Sequence, residues 1–230
     1  MKYTDAHCHI IDQSCDFNIT ARVCNATTEA DWEKLVKIAN NKIHVCIGIH
    51  PWYINTASTN WDNRMRKILL SNPDVMIGEI GLDKYHPDIT TQINFFITQL
   101  EIAIELNRSI HLHVVGAWDK MLNILKKYNK IPPIIAHGFN GNTDIMKRLV
   151  DKYDIYFSYS GKQFEKTTKN NILNCIMATP QNKLLLESDT NTHETELKLL
   201  QIAYNNVAQI AHSNPSGLSK IVAKNLLNIL

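Results

Sequence analysis

The chain has 230 residues, 44% of them hydrophobic and 20% charged, with a formal charge of +2. That is enough chain to bury one large core, so a single domain over residues 1–230 is expected, and the near-balanced charge excludes a broad basic surface that holds duplex nucleic acid by counterion release alone. Five cysteines (Cys8, Cys15, Cys24, Cys46, Cys175) without a Cys-x-x-Cys pair, no signal-peptide pattern and no apolar run of roughly 18 residues predict a soluble, cytoplasmic protein with free thiols and no membrane association.

In chain order, short β-branched runs alternate with longer segments of helical period. The predicted strands are residues 3–9, 19–24, 43–49, 75–80, 109–114, 133–138, 155–159 and 183–188. Between them, Trp32, Leu35, Val36 and Ala39 mark one helical face, Ile93, Phe96, Ile97, Leu100 and Ile104 a second, and Trp118, Met121, Leu122 and Leu125 a third. Thr28 with Asp31 reads as a cap on the first helix. Two more helices, from His193 to His212 and from Leu218 to Leu230, close the chain. Eight strands in this rhythm predict an α/β fold of TIM type, a closed (β/α)8 barrel, rather than an open doubly wound sheet. Residues 10–18 barely reach the dozen or so that a helical crossover needs, so the helix between strands 1 and 2 is expected to be missing.

Chemistry-bearing residues recur at one position in this rhythm. His7 and His9 close the first strand and, two residues apart, face the same way into the barrel while Cys8 faces the helix layer. Glu79 lies near the end of the fourth strand, His113 of the fifth and His137 of the sixth, and Asp189 follows the eighth. In a barrel those ends meet at one mouth, and polar groups crowded there need partners, which divalent cations supply together. A metal site built from His7, His9, Glu79, His113, His137 and Asp189 is therefore expected.

The motifs "DAHCH", "GIHPW", "GEIGLD", "HVVGA", "HGFNG" and "ESD" occur in the order seen in the TatD family of metal-dependent deoxyribonucleases, within the amidohydrolase-like barrel group, which the chain resembles from its first residue to its last. The resemblance implies that His7, His9 and Asp189 serve one metal, that His113 and His137 serve a second, and that Glu79 bridges them. A glutamate at that strand favours the TatD branch over small-molecule amidohydrolases, which use a carboxylated lysine there. Two departures stand out. Val115 replaces the arginine common two residues after the fifth-strand histidine, and "TNTH" follows Asp189 where a small residue and proline are usual.

The expected reaction is hydrolysis of DNA phosphodiesters by a two-metal activated water, with Asp189 as general base and Glu79 holding the metals together. Nitrogen and oxygen donors suit Zn, Mn or Fe, with Mg at the carboxylate-rich position. The nucleic-acid partner is expected to be single-stranded or frayed DNA. The alternative is an amidohydrolase or lactonase acting on a small ester or amide, favoured by Val115 and the near-neutral charge. His50 reads equally as a substrate contact and as a loop histidine fixed by Pro51. Lys84 and Tyr85 read as a substrate-facing cation and ring, against the ordinary solvated loop lysine. His111 is read as a barrel-layer residue hydrogen-bonded inside rather than as a ligand; Trp52, Phe139 and Tyr159 are base-stacking candidates against ordinary packing at the rim; His44, His86, His193 and His212 have no partner that the sequence names.

Overall fold

A computed structural model describes residues 1–165 and 170–230. Its eight strands are β1 (Tyr3–Cys8), β2 (Ile19–Asn25), β3 (Ile43–Ile47), β4 (Met76–Asp83), β5 (Ile110–Val115), β6 (Ile134–Ala136), β7 (Ile155–Ser160) and β8 (Leu184–Glu187). They pair in parallel in sequence order. The ring returns to its start just past the strand ends, where His9 N donates to Thr190 O (2.7 Å) and Asp189 N to His7 O (2.9 Å). Buried Asp5 fastens the same seam by accepting from Ser188 N (2.9 Å) and Ser188 Oγ (2.5 Å).

The helices are α1 (Glu29–Ile38), α2 (Trp61–Ser71), α3 (Ile89–Leu106), α4 (Trp118–Leu125), α5 (Thr143–Val150), α6 (Asn170–Ala178), α7 (His193–Ile210) and α8 (Pro215–Leu227). Among the described residues no helix is long and apolar enough to cross a membrane. As the spacing requires, none lies between β1 and β2. The flank left there is closed by a buried ion pair. Arg22 reaches Glu196 Oε2 of α7 (3.3 Å) and donates to Asp12 O of the loop (2.5 Å), while Ser14 Oγ lies 3.2 Å from His193 Nε2.

Local details differ from the sequence pattern. Thr28 does sit at the start of α1, but its hydroxyl bonds the Asp31 carboxylate (3.1 Å) instead of capping a backbone N–H, and Ala39 falls beyond the helix on the surface. Strand β4 runs three residues further than expected because Gln92 of α3 binds both backbone groups of Asp83, accepting from N (2.8 Å) and donating to O (3.1 Å). Gln99, two turns on, does the same for Ile49 past β3 (2.7 and 3.2 Å). Buried side-chain amides on α3 thus fix the backbone from which two mouth segments leave.

Candidate active site

At the mouth of the barrel Glu79 is buried and turns one carboxylate oxygen to each of two histidine pairs. Its Oε2 lies 3.4 Å from Nε2 of both His7 and His9, which are themselves 3.2 Å apart. Its Oε1 lies 2.7 Å from His113 Nδ1 and 2.8 Å from His137 Nε2, and these two nitrogens are 3.2 Å apart. Asp189 approaches from the rim with Oδ1 3.7 Å from His9 Nε2. The six residues singled out by their strand-end positions thus lie side by side.

The backbone explains the convergence. His7 and Glu79 stand on strands, and His113 sits three residues from the start of β5; His9, His137 and Asp189 are the first or second residues past β1, β6 and β8. Asp189 has a left-handed backbone (φ 53°), unusual for a residue with a side chain. Its N–H bond to His7 O holds it there.

A second layer orients the rings. His9 Nδ1 lies 3.0 Å from Asn25 O, and His137 Nδ1 lies 3.1 Å from Glu187 Oε1, so each ring presents Nε2 to Glu79. On the far side of His113, Asp83 Oδ2 lies 3.7 Å from Nε2 and accepts from Trp52 Nε1 at 2.7 Å. His50 is fixed in its loop and also faces the donors. Its Nδ1 accepts from Trp52 N (3.1 Å) at the turn begun by Pro51, while its Nε2 points to Glu79 Oε1 at 3.6 Å.

The electrostatics follow from this crowding. Burial would raise the pKa of Glu79, but His137, His7 and His50 around it and the bond from His113 hold it well below the usual carboxylate range. Asp83 is likewise kept low against burial by His113, Trp52 and Tyr85 N. His7 is pushed well down by burial, with His137 adding to the effect, and His50 falls to about 3, chiefly through burial. His113 and His137 go the other way: burial opposes a charge, but Asp83 and Glu79 raise the first, and Glu79 and Glu187 raise the second well above the usual imidazole range.

A sequence profile of the family described as TatD related DNase matches residues 4–230. The chain belongs to this family. It is 29% identical over 214 residues (83% of this chain, 81% of the relative) to an uncharacterized metal-dependent hydrolase of Mycoplasma genitalium. It is 25% identical over 190 residues (78% of this chain, 71% of the relative) to the 3'-5' ssDNA/RNA exonuclease TatD of Escherichia fergusonii. Its fold is similar to the crystal structure of a TatD homologue from Escherichia coli, with a TM-score of 0.83 over 99% of this chain and 97% of that one at 19% identity.

The donors of this TatD-family barrel fit a metal. Three buried carboxylates, Glu79, Asp83 and Glu187, surround His113 and His137, which places negative charge beside nitrogen donors. Three sets of donor atoms lie within 4.8 Å of one another at the mouth: His7, His9 and Glu79; His50, Glu79 and His113; and His7, His137 and Asp189. Glu79 belongs to the first two sets, and the third ties Asp189 to His137 as well as to His7. His50 joins the donor sets as a residue that the sequence left between two roles.

Other expected contacts fall elsewhere. The cavity over the donors, about 510 Å³, is lined by Trp52, Tyr53, Asn25, Thr27, Asp31 and Lys162 among others; Lys84 is exposed outside it, beside Gly116. Trp52, 48% exposed, stacks on His86 (4.3 Å), which gives that histidine a partner, but Phe139 and Tyr159 are fully buried core rings that no base can reach. His111 is buried in the barrel as expected yet is not hydrogen-bonded: among the described residues neither ring nitrogen has a partner, and the ring lies against His7 at 5.8 Å. Burial holds it neutral, with a pKa of about 3, so the cost of leaving it unpaired is that of a dipole rather than a charge.

Proposed function

We propose that this TatD-family metal-dependent hydrolase uses two divalent cations joined by Glu79 to cleave phosphodiester bonds in single-stranded nucleic acid, DNA in the first place. The observation that carries this reading is the split of Glu79, one oxygen 3.4 Å from His7 and His9, the other 2.7 and 2.8 Å from His113 and His137. His7, His9 and Asp189 would hold one cation and His113 and His137 the other. When bound, such cations acidify water and offset charge on a phosphate. Nitrogen and oxygen donors suit Zn, Mn or Fe, with Mg where carboxylates dominate.

The protein's own part is position and proton transfer. Asp189, 28% exposed, has one carboxylate oxygen toward His9 and the other toward Lys162, so it is open to solvent from the cavity. It is the group assigned to take the proton of the attacking water. Glu187 and Asn25 O keep His137 and His9 from rotating. Exposed Trp52 and Tyr53 at the rim offer aromatic faces for unpaired bases. The exonuclease name of the Escherichia fergusonii relative favours single strands.

Elemental analysis of the purified protein, followed by assays on single-stranded DNA, RNA and a lactone panel with and without chelator, tests the reading. Two equivalents of metal and chelator-sensitive cleavage of oligonucleotides are expected. Turnover of lactones with none of oligonucleotides would replace it with the small-ester alternative.

A further inference from the structure

Lys162 occupies a place that no motif predicts. It belongs to the tight turn Gly161–Phe164 that follows β7. Ser160 Oγ accepts from Lys162 N (3.2 Å), and Gln163 Oε1 accepts from Ser160 N (2.8 Å). Gly161 presses against α7 so closely that a Cβ there would stand 2.2 Å from Leu199 O. The turn is therefore fixed at both ends. From it the Lys162 side chain, 47% exposed, donates to the Asp189 carbonyl and brings Nζ to 3.4 Å from Asp189 Oδ2.

Two cavities meet at this residue. The first is the one over the metal donors. The second, about 450 Å³, runs past Val114, Val115, Asn140 and Ile172 and shares His113, His137, Lys162 and Asp189 with the first. Among the described residues lining either cavity, Lys162 is the one lysine or arginine. A polyanion crossing the donors from one cavity to the other passes this ammonium group, with no other lysine or arginine among the described lining residues. Val114 and Val115 give the second cavity an apolar part.

We propose, resting on the phosphodiesterase reading above, that Lys162 binds a phosphate oxygen of the substrate strand where the two cavities join. A lysine suits this task as a compact point charge on a flexible stem, able to leave Asp189 for a phosphate without a fixed fork geometry.

The test is the salt dependence of kcat/KM on a single-stranded oligothymidylate for the metal-loaded wild type, Lys162→Ala and Lys162→Arg. Loss of one phosphate contact on a single strand lowers the slope of log(kcat/KM) against log[NaCl] by about 0.7. The alanine variant is expected to show that shallower slope and a fall of about 10–100-fold at low salt, that being the weight of a hydrogen bond to a charged group. The arginine variant is expected to keep the wild-type slope. A parallel slope in the alanine variant would overturn the proposal, whatever its kcat, because it would reduce Lys162 to a support for Asp189. A wild type that cleaves no oligonucleotide with Mn, Zn or Mg would fell the phosphodiesterase reading, and this proposal with it.

Discussion

Glu187 meets His137 on the side opposite Glu79, its Oε1 3.1 Å from Nδ1 and 2.9 Å from Gly138 N, which donates to it. The carboxylate is fully buried, and it sets which ring nitrogen of His137 faces Glu79. Carboxylate–histidine pairs of this kind raise ligand basicity and fix the tautomer, and their loss typically weakens metal binding 10–100-fold. Glu187→Gln should therefore lower the affinity for the cation proposed at His113 and His137 by about that factor. Titration of the metal-free protein with Zn or Mn, followed by calorimetry, reads it directly. Two sites of unaltered affinity would show that Glu187 serves packing alone.

Asp189 carries a different burden from Glu79. It sits at the rim and not between the two histidine pairs, and the role proposed for its carboxylate is proton transfer as well as ligation. Asp189→Asn keeps the size and one donor-capable oxygen but removes the base, and general-base catalysis typically contributes 10²–10⁴-fold. The variant should fold normally, retain most of its metal and lose about that much turnover on single-stranded DNA with added Mn. Near wild-type turnover would reject the role.

The barrel and its candidate metal ligands were legible for one physical reason: parallel strands buried on both faces are apolar runs, so a histidine or carboxylate at the end of such a run stands out. His7, Glu79, His113 and His137 were visible in that way. Glu187 was passed over although it too ends an apolar run, "LLLE", and its two-residue spacing from Asp189 is the same signal that linked His7 to His9. Gln92 and Gln99 break the apolar face of α3 seven residues apart, a hint that they serve backbone groups rather than solvent. Lys162 left no trace, since a lysine after a strand is ordinary and only the fold brings it to Asp189. The unpaired state of His111 is likewise a property of what surrounds it, which no local pattern encodes.

The flank without a crossover helix depends on Arg22, fully buried, with Nη1 3.3 Å from Glu196 Oε2 and 3.4 Å from His193 Nδ1. Removing one member of a buried pair leaves the other as an uncompensated charge, at about 3–5 kcal/mol, whereas apolar replacement of both is often neutral. Arg22→Met should lower stability by that amount in urea unfolding, and adding Glu196→Leu should recover most of it. The pH dependence has a definite sign. Burial already raises the pKa of Glu196 against the pull of Arg22. Without Arg22 the folded variant holds that proton more tightly than the folded wild type does, so the deficit grows as pH rises through the raised pKa of Glu196 in the wild type toward the still higher one of the variant, and shrinks below it. A deficit constant from pH 4 to 8 would contradict this account.

Gly81 brings β4 and β5 close together where they carry Glu79 and His113. It lies between Glu79 and Asp83 on β4, pairs with His113 on β5, and has φ 155°. A Cβ added there would stand 1.7 Å from the His113 carbonyl oxygen, a backbone atom that cannot turn aside. Gly81→Ala must therefore separate β4 from β5 and move Glu79 relative to His113. The expected loss is about 3 kcal/mol or more, the sum of overpacking and an unfavourable backbone conformation. Metal analysis should show the His113 side depleted before the His7 side, since His7 and His9 keep their own contacts to each other. Thermal unfolding and metal stoichiometry measured on the same preparation check both parts, and a fully metallated variant melting with the wild type would refute them.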